Sequence, residues 1–216
     1  MLKKIFSILC MAAVIVFAAA PQAMAMGDIK VGVILDTPAG NFSEPEKVYT
    51  TAQASLDVIF KNATQFEIMD VSECDSYVQI YREENGLAAT YDDTNYSTAQ
   101  RDLTFKKEDL AKMAKHLNSN YLVYIRVSTT NPRSTGGVFT SGQKVNVITD
   151  FRIWSNAKND FVYLKRATTT GSSNTVNIGA FGHGSGSAEH AVEKGLKKGL
   201  QEVEKDKAKI LAAMEG

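Results

Sequence analysis

The apolar positions of this chain change spacing several times, and each change marks an element. "KVGVILD" (Lys30 to Asp36) is almost continuous in Val, Ile and Leu, which reads as a buried strand. After the turn-rich "TPAGNFSEP", Val48, Ala52, Leu56 and Ile59 recur at helical spacing, and Pro45 suits the first turn of that helix. "QFEIMDV" (Gln65 to Val71) reads as a second strand. "CDSYVQIYREENGL" has weaker helical character, with Tyr77, Ile80 and Tyr81 on one side, and "AATYDDTNYSTAQRD" is polar and turn-like. "FKKEDLAKMAKHLNSN" returns to a clear helical stripe of Leu110, Met113, Ala114 and Leu117, and it runs straight into the strand "YLVYIRVSTT".

The second half switches to period two. "NPRSTGGVFTSGQ" has the composition of a loop. In "KVNVITDFRIWS", Val145, Val147, Thr149, Phe151 and Ile153 share one face; "NAKND" reads as a hairpin turn, and "FVYLKRATTT" as the returning strand. A Gly/Ser-rich loop is expected over 171–187. It leads into a last helix from Ser187 to about Ala213, with Ala188, Val192, Leu196, Leu200, Val203, Ile210 and Leu211 inward. Gly195 and Gly199 lie on or beside that stripe. Each costs about 1 kcal/mol relative to Ala in a helix, so a close approach of this helix to the sheet is expected. Early strands separated by helices favour parallel pairing through right-handed crossovers, and the later strands form an antiparallel hairpin. The expected fold is therefore α/β (α+β): a single mixed β-sheet packed by helices, closed by a C-terminal amphipathic helix.

The N-terminus tells a different story. Lys3 and Lys4 precede an apolar run from Ile5 to Ala20, and Ala23-Met24-Ala25 gives a small-x-small cleavage pattern. The run falls short of the ~20 residues of a spanning helix. Residues 1–25 read as a cleaved signal peptide and 26–216 as one domain. The protein is then exported, to the periplasm or beyond, and associated with the envelope, with no transmembrane helix in the mature chain. Cys10 sits too early in the apolar run for a lipidated cysteine. Only Cys74 is left after cleavage, so no internal disulfide forms. It reads as a small, partly buried apolar residue.

Charge narrows the partners. The chain has 24 basic and 24 acidic residues, and loss of the leader with its two lysines leaves a slight acidic excess. A nucleic-acid binder needs a concentrated basic face, which this balance argues against. The charges of the last helix mix both signs and read as a solvated face.

The segment "GAFGHGSGSAEH" from Gly179 is the main candidate for chemistry. Gly179 and Gly184 have the P-loop spacing, but Ser185 stands where the lysine belongs. Gly182, Gly184 and Gly186 give G-x-G-x-G, not the dinucleotide pattern G-x-G-x-x-G. His183 and Ser187 flank Ser185 where a hydrolase elbow has glycines. What is left is a weak anion-binding candidate at Gly182, His183, Gly184, Ser185, Gly186 and Ser187, because free N–H groups at a helix start favour anions. The competing reading makes Ser187 a helix cap and the glycines a loose tether. His116, His183 and His190 show no metal-ligand spacing. Asp70, Glu73 and Asp75 in "DVSECD" could hold a hard cation, but a solvated loop is the stronger reading. "DDTNYST" starts like a calcium loop and lacks its glycine and its closing glutamate. Tyr77, Tyr81, Tyr91 and Tyr96 could form an aromatic surface, although half-buried tyrosines are the commoner case. No catalytic residue, metal site or cofactor is assigned.

In element order, from "KVGVILD" through "LAKMAKHLNSNYLVYIRVS" and the paired strands "VNVITDFRIWSNAKNDFVYLKRATTTGSS" to "AEHAVEKGLKKGL", the chain resembles a group of bacterial envelope domains. These are the curli-secretion (CsgG) family, the N-terminal domain of TolB and the LpoB-type penicillin-binding-protein activators. The resemblance spans about Lys30 to Leu200. It implies a non-enzymatic protein that acts by protein–protein interaction in envelope assembly, secretion or cell-wall work. Its partner would be another envelope protein or a second copy of itself. Two readings compete with this one: a periplasmic binder of an anion or small molecule, and a hydrolase with a dispersed site.

Overall fold

The structure is a computed structural model that describes residues 28–37, 45–87, 105–130, 133–137, 140–176 and 188–216. Among the described residues the strands are β1 (Ile29–Asp36), β2 (Phe66–Ile68), β3 (Tyr121–Thr129), β4 (Arg133–Gly137), β5 (Thr140–Ser155) and β6 (Asp160–Val176). The helices among them are α1 (Pro45–Phe60), α2 (Val71–Glu84), α3 (Lys107–His116), α4 (Ala188–Glu204) and α5 (Lys207–Glu215).

They form one mixed sheet. β2, β1 and β3 are parallel neighbours, as helix-separated strands require, and β5 pairs antiparallel with β3 and β6. β3 holds Val147–Ser155 of β5 and β4 holds Thr140–Lys144, while β6 pairs with β5 along its whole length. β4 therefore continues β3 along the same edge of β5. The hairpin between β5 and β6 turns through Asn159, whose φ of 50° is the left-handed conformation that asparagine tolerates.

Period-two alternation divides the sheet into two faces. Val31, Val33 and Leu35 of β1, Val123, Ile125 and Val127 of β3, and Val145, Val147, Phe151 and Ile153 of β5 meet α1, α4 and α5. The opposite face presents Ile34, Leu122, Tyr124 and Trp154 to α2 and α3, through Val78, Tyr81, Leu110, Met113 and Ala114. The result is three layers, helices on both sides of one sheet.

The expected close seam is present. A side chain at Gly195 would overlap Val147, and one at Gly199 would overlap the Thr149 hydroxyl. From the other side, a Cβ at Gly171 of β6 would overlap the Ala191 carbonyl of α4. Glycines on both partners let helix and strand backbones meet, and Thr169 Oγ1 donates to the Gly195 carbonyl at 2.6 Å across the seam.

Several local expectations change. The loop-like "NPRSTGGVFTSGQ" contributes β4 and the start of β5, because neighbouring strands supply its ladder where its own propensity is weak. β6 continues to Val176, so residues 171–176 are strand rather than the start of the Gly/Ser-rich loop. The weakly patterned Val71–Glu84 is a full helix. Asp70 is its cap, accepting from the Ser72 and Glu73 amides, so "DVSECD" opens a helix instead of forming a solvated loop. The last helix is two helices, broken at Lys205 and Asp206. Asp206 is held there by Tyr163 and Lys165 of β6 at 2.9 and 2.8 Å, and α5 then returns Ile210 and Met214 to the core.

Candidate functional site

The α2/α3 face of the sheet is not apolar throughout. Register places Asp36 of β1 beside Arg126 of β3, Arg126 beside Asp150 of β5, and Asp150 beside Arg166 of β6. Four strands thus carry one row of alternating charge, directly opposite residues that attract across a ladder. The next row toward α3 is Ile34, Tyr124, Arg152 and Leu164.

The geometry ties these side chains into two linked groups. Arg82 of α2 donates to Asp36 Oδ1 at 2.6 Å, and the Tyr124 hydroxyl donates to Asp36 Oδ2 at 2.6 Å. Arg126 Nε lies 3.8 Å from the same Oδ2. Arg166 grips Asp150 with two bonds of 2.6 and 2.9 Å, while Arg152 stands 3.9 Å from Asp150. Aromatic rings fill the spaces between. Arg82 lies 5.0 Å over Phe105, and Arg152 lies 5.9 and 5.8 Å from the rings of Tyr124 and Phe161. Only the outermost member of the row is well exposed. The Arg166 side chain is 65% exposed, that of Asp36 only 14%.

Burial and these carboxylates together set the state of several tyrosines. Burial, then the charge of Asp36, pushes the Tyr124 hydroxyl far above its usual range, so it stays a neutral donor. The same forces raise Tyr81 beside Asp109, Tyr49 beside Asp75 and Tyr163 beside Asp206. The bond to Asp150 raises Arg166. Both carboxylates of the row already accept short charge-assisted bonds. No group of three or more His, Cys, Asp or Glu able to hold a metal ion occurs among the described residues.

The residues singled out in the sequence fare differently. Gly182, His183, Gly184, Ser185, Gly186 and Ser187 lie outside the described residues, as do Tyr91, Tyr96 and "DDTNYST". His190 sits on α4, with Nδ1 3.4 Å from Glu193. His116 stacks on Tyr77 at 3.8 Å. Tyr81 is buried, and Tyr77 is half-buried against the same core, the commoner case for helix tyrosines. Cys74 is fully buried rather than partly so. It accepts the Val33 amide at 3.4 Å, and burial raises its thiol, the profile of an inert residue. An open cleft of about 480 Å³ between α1 and the start of α2 is lined by Glu46, Tyr49, Gln53, Asp57, Asp70 and Ser72. Its Tyr49, Gln53 and Asp70 are bonded within the fold.

The charged row itself was missed in the sequence. Its signal was there: a charge at a face-consistent position in each of four strands, at 36, 126, 150 and 166. Each alone reads as a polar strand end, and only register joins them.

No protein-family model matches the chain, and no curated protein matches it. Solved structures do. The C-terminal domain of LpoB from Salmonella enterica is similar at 13% identity, over 68% of this chain and 85% of that one, with a TM-score of 0.30. The PelC dodecamer from Paraburkholderia phytofirmans is similar at 12% identity over 91% and 93%, TM-score 0.37. A putative neuraminyllactose-binding hemagglutinin homolog from Helicobacter pylori is similar at 7% identity over 91% and 95%, TM-score 0.43. No helix among the described residues is long and apolar enough to cross a membrane.

Proposed function

We propose that this protein is exported to a bacterial envelope and works there by binding another envelope protein, without catalysis. One observation carries the reading. The most elaborate polar assembly on the described surface is a row whose carboxylates are already engaged by arginines and whose tyrosine is held neutral. Such an assembly is rigid, partly exposed and chemically quiet, which suits recognition. The signal-like N-terminus and the row together support an accessory role in envelope assembly, secretion or cell-wall work.

Cross-linking of the tagged protein in envelope fractions, followed by affinity recovery, tests this. The expected result is reproducible recovery of one envelope protein. Recovery of none, together with a thermal shift from a metabolite panel, would overturn it in favour of small-molecule binding. Anion binding at Gly182 to Ser187 is a separate proposal. Titration with inorganic phosphate, followed by NMR shifts of those amides, decides it.

A further inference from the structure

We infer that Arg152 is the docking point for a carboxylate on an acidic segment of a partner protein. This rests on the protein-binding reading above and names the partner's chemistry.

Arg152, one row over from the charged row, is the odd member of the linked group. Asp36 and Asp150 each have a closer arginine, Arg82 at 2.6 Å and Arg166 at 2.6 and 2.9 Å. Arg152 has only the 3.9 Å approach to Asp150 and two ring contacts, with no hydrogen-bond acceptor among the described residues. Its side chain is 26% exposed. A guanidinium has five donors in a fixed fork, and leaving them unmatched in a half-buried site is costly. Here the fork is held between the Tyr124 and Phe161 rings, so its orientation is set before any ligand arrives. A carboxylate completes it with two parallel bonds.

The surroundings select the ligand. Among the described residues the site gathers four arginines (82, 126, 152 and 166) around two aspartates, so an anionic group is the complementary ligand. Leu164, directly across the ladder from Arg152, is 61% exposed, one of three large apolar side chains so exposed among the described residues. An anionic group flanked by an apolar side chain matches this pair, and an acidic protein segment supplies both. β6, which carries Leu164 and Arg166, pairs on one side only, with β5, among the described residues.

The test uses fluorescence anisotropy of labelled hexaglutamate with the full mature protein at low salt. Hexaglutamine and inorganic phosphate serve as competitors, and melting curves confirm folding of every variant. Wild type should bind hexaglutamate and ignore hexaglutamine. Arg152→Gln should weaken binding about tenfold or more, and Arg152→Lys less, because a lysine keeps the charge without the fork. Arg166→Gln should also weaken it, since Asp150 then turns to Arg152. Lys197→Gln, an exposed charge on the opposite side of the sheet, should change nothing. Equal binding by wild type and a folded Arg152→Gln overturns the inference, as does displacement by phosphate at concentrations far below those of the peptide. Recovery of an envelope partner that is indifferent to Arg152→Gln overturns this inference alone and leaves the protein-binding reading standing.

Discussion

The two faces of the sheet solve the same packing problem in opposite ways. Toward α1, α4 and α5 the strands offer mainly aliphatic and aromatic side chains, with Thr149 and Thr169 in the seam, and glycines let α4 lie directly on the strands. Toward α2 and α3 the apolar patch around Trp154 and Leu122 gives way, at the far end of β1 and β3, to a lattice of four arginines and two aspartates. The first face is stabilised by exclusion of water and tolerates no added volume. The second is stabilised by mutual pairing and tolerates no lost partner. The first face has a partly exposed polar cluster as well, Tyr163 and Lys165 on Asp206, but the row of linked arginines and aspartates lies on the second.

The largest expected effect comes from the dry seam. Gly171→Ala forces a methyl into the Ala191 carbonyl, which a backbone cannot easily vacate, and should cost about 3 kcal/mol in urea denaturation. Gly199→Leu lies in the same seam against the Thr149 hydroxyl and should also lower the melting temperature. Unchanged melting in both would mean that helix and sheet are not in close contact.

Asp36→Ala attacks the charged face. It strands Arg82 and Tyr124, and with 14% of the Asp36 side chain exposed the loss should be about 2 kcal/mol, below the figure for a fully buried pair. A loss as small as that of a surface ion pair would remove the contrast between the faces.

Thr149→Val refines the rule for the dry face. The Thr149 hydroxyl is buried, with no hydrogen-bond partner among the described residues. Replacing it with a methyl should leave stability unchanged or raise it by about 1 kcal/mol, since an unmet buried hydroxyl carries a penalty. A clear loss would show that the hydroxyl has a partner after all.

The smallest effect concerns acid. Bonds from Lys165, then Tyr163, hold the Asp206 carboxyl below the usual carboxylate range. A carboxyl lowered by folding contributes stability above its unfolded value, near 4, and loses it as pH falls through the folded value. Asp206→Asn should therefore reduce the steepness of acid unfolding below about pH 4 and leave its slope near pH 7 alone. Identical acid transitions would show that the turn between α4 and α5 does not depend on this carboxylate.

Much of the architecture was legible in the chain. Periodicity located β1, α1, α3, β3 and the β5–β6 hairpin because in each the burial pattern and the local propensity agree. β4 and the outer end of β6 escaped notice because Ser, Thr and Gly carry no hydrophobic phase, and only the β5 ladder makes them strands. α2 was faint because it is covered on one side only, by few apolar residues. The candidate site was less legible still. The glycine segment drew attention by composition, whereas Arg152 is an ordinary charge in an alternating strand.

The sequence by itself determined the layers: apolar residues at period two or 3.6 must turn inward, and helices between strands impose parallel pairing. Only tertiary structure decided the site. Asp36, Arg126, Asp150 and Arg166 span 131 positions of chain, and register alone brings them into one row. Whether an arginine is matched or left open depends on which carboxylate another arginine reached first, and that is a property of distances in space.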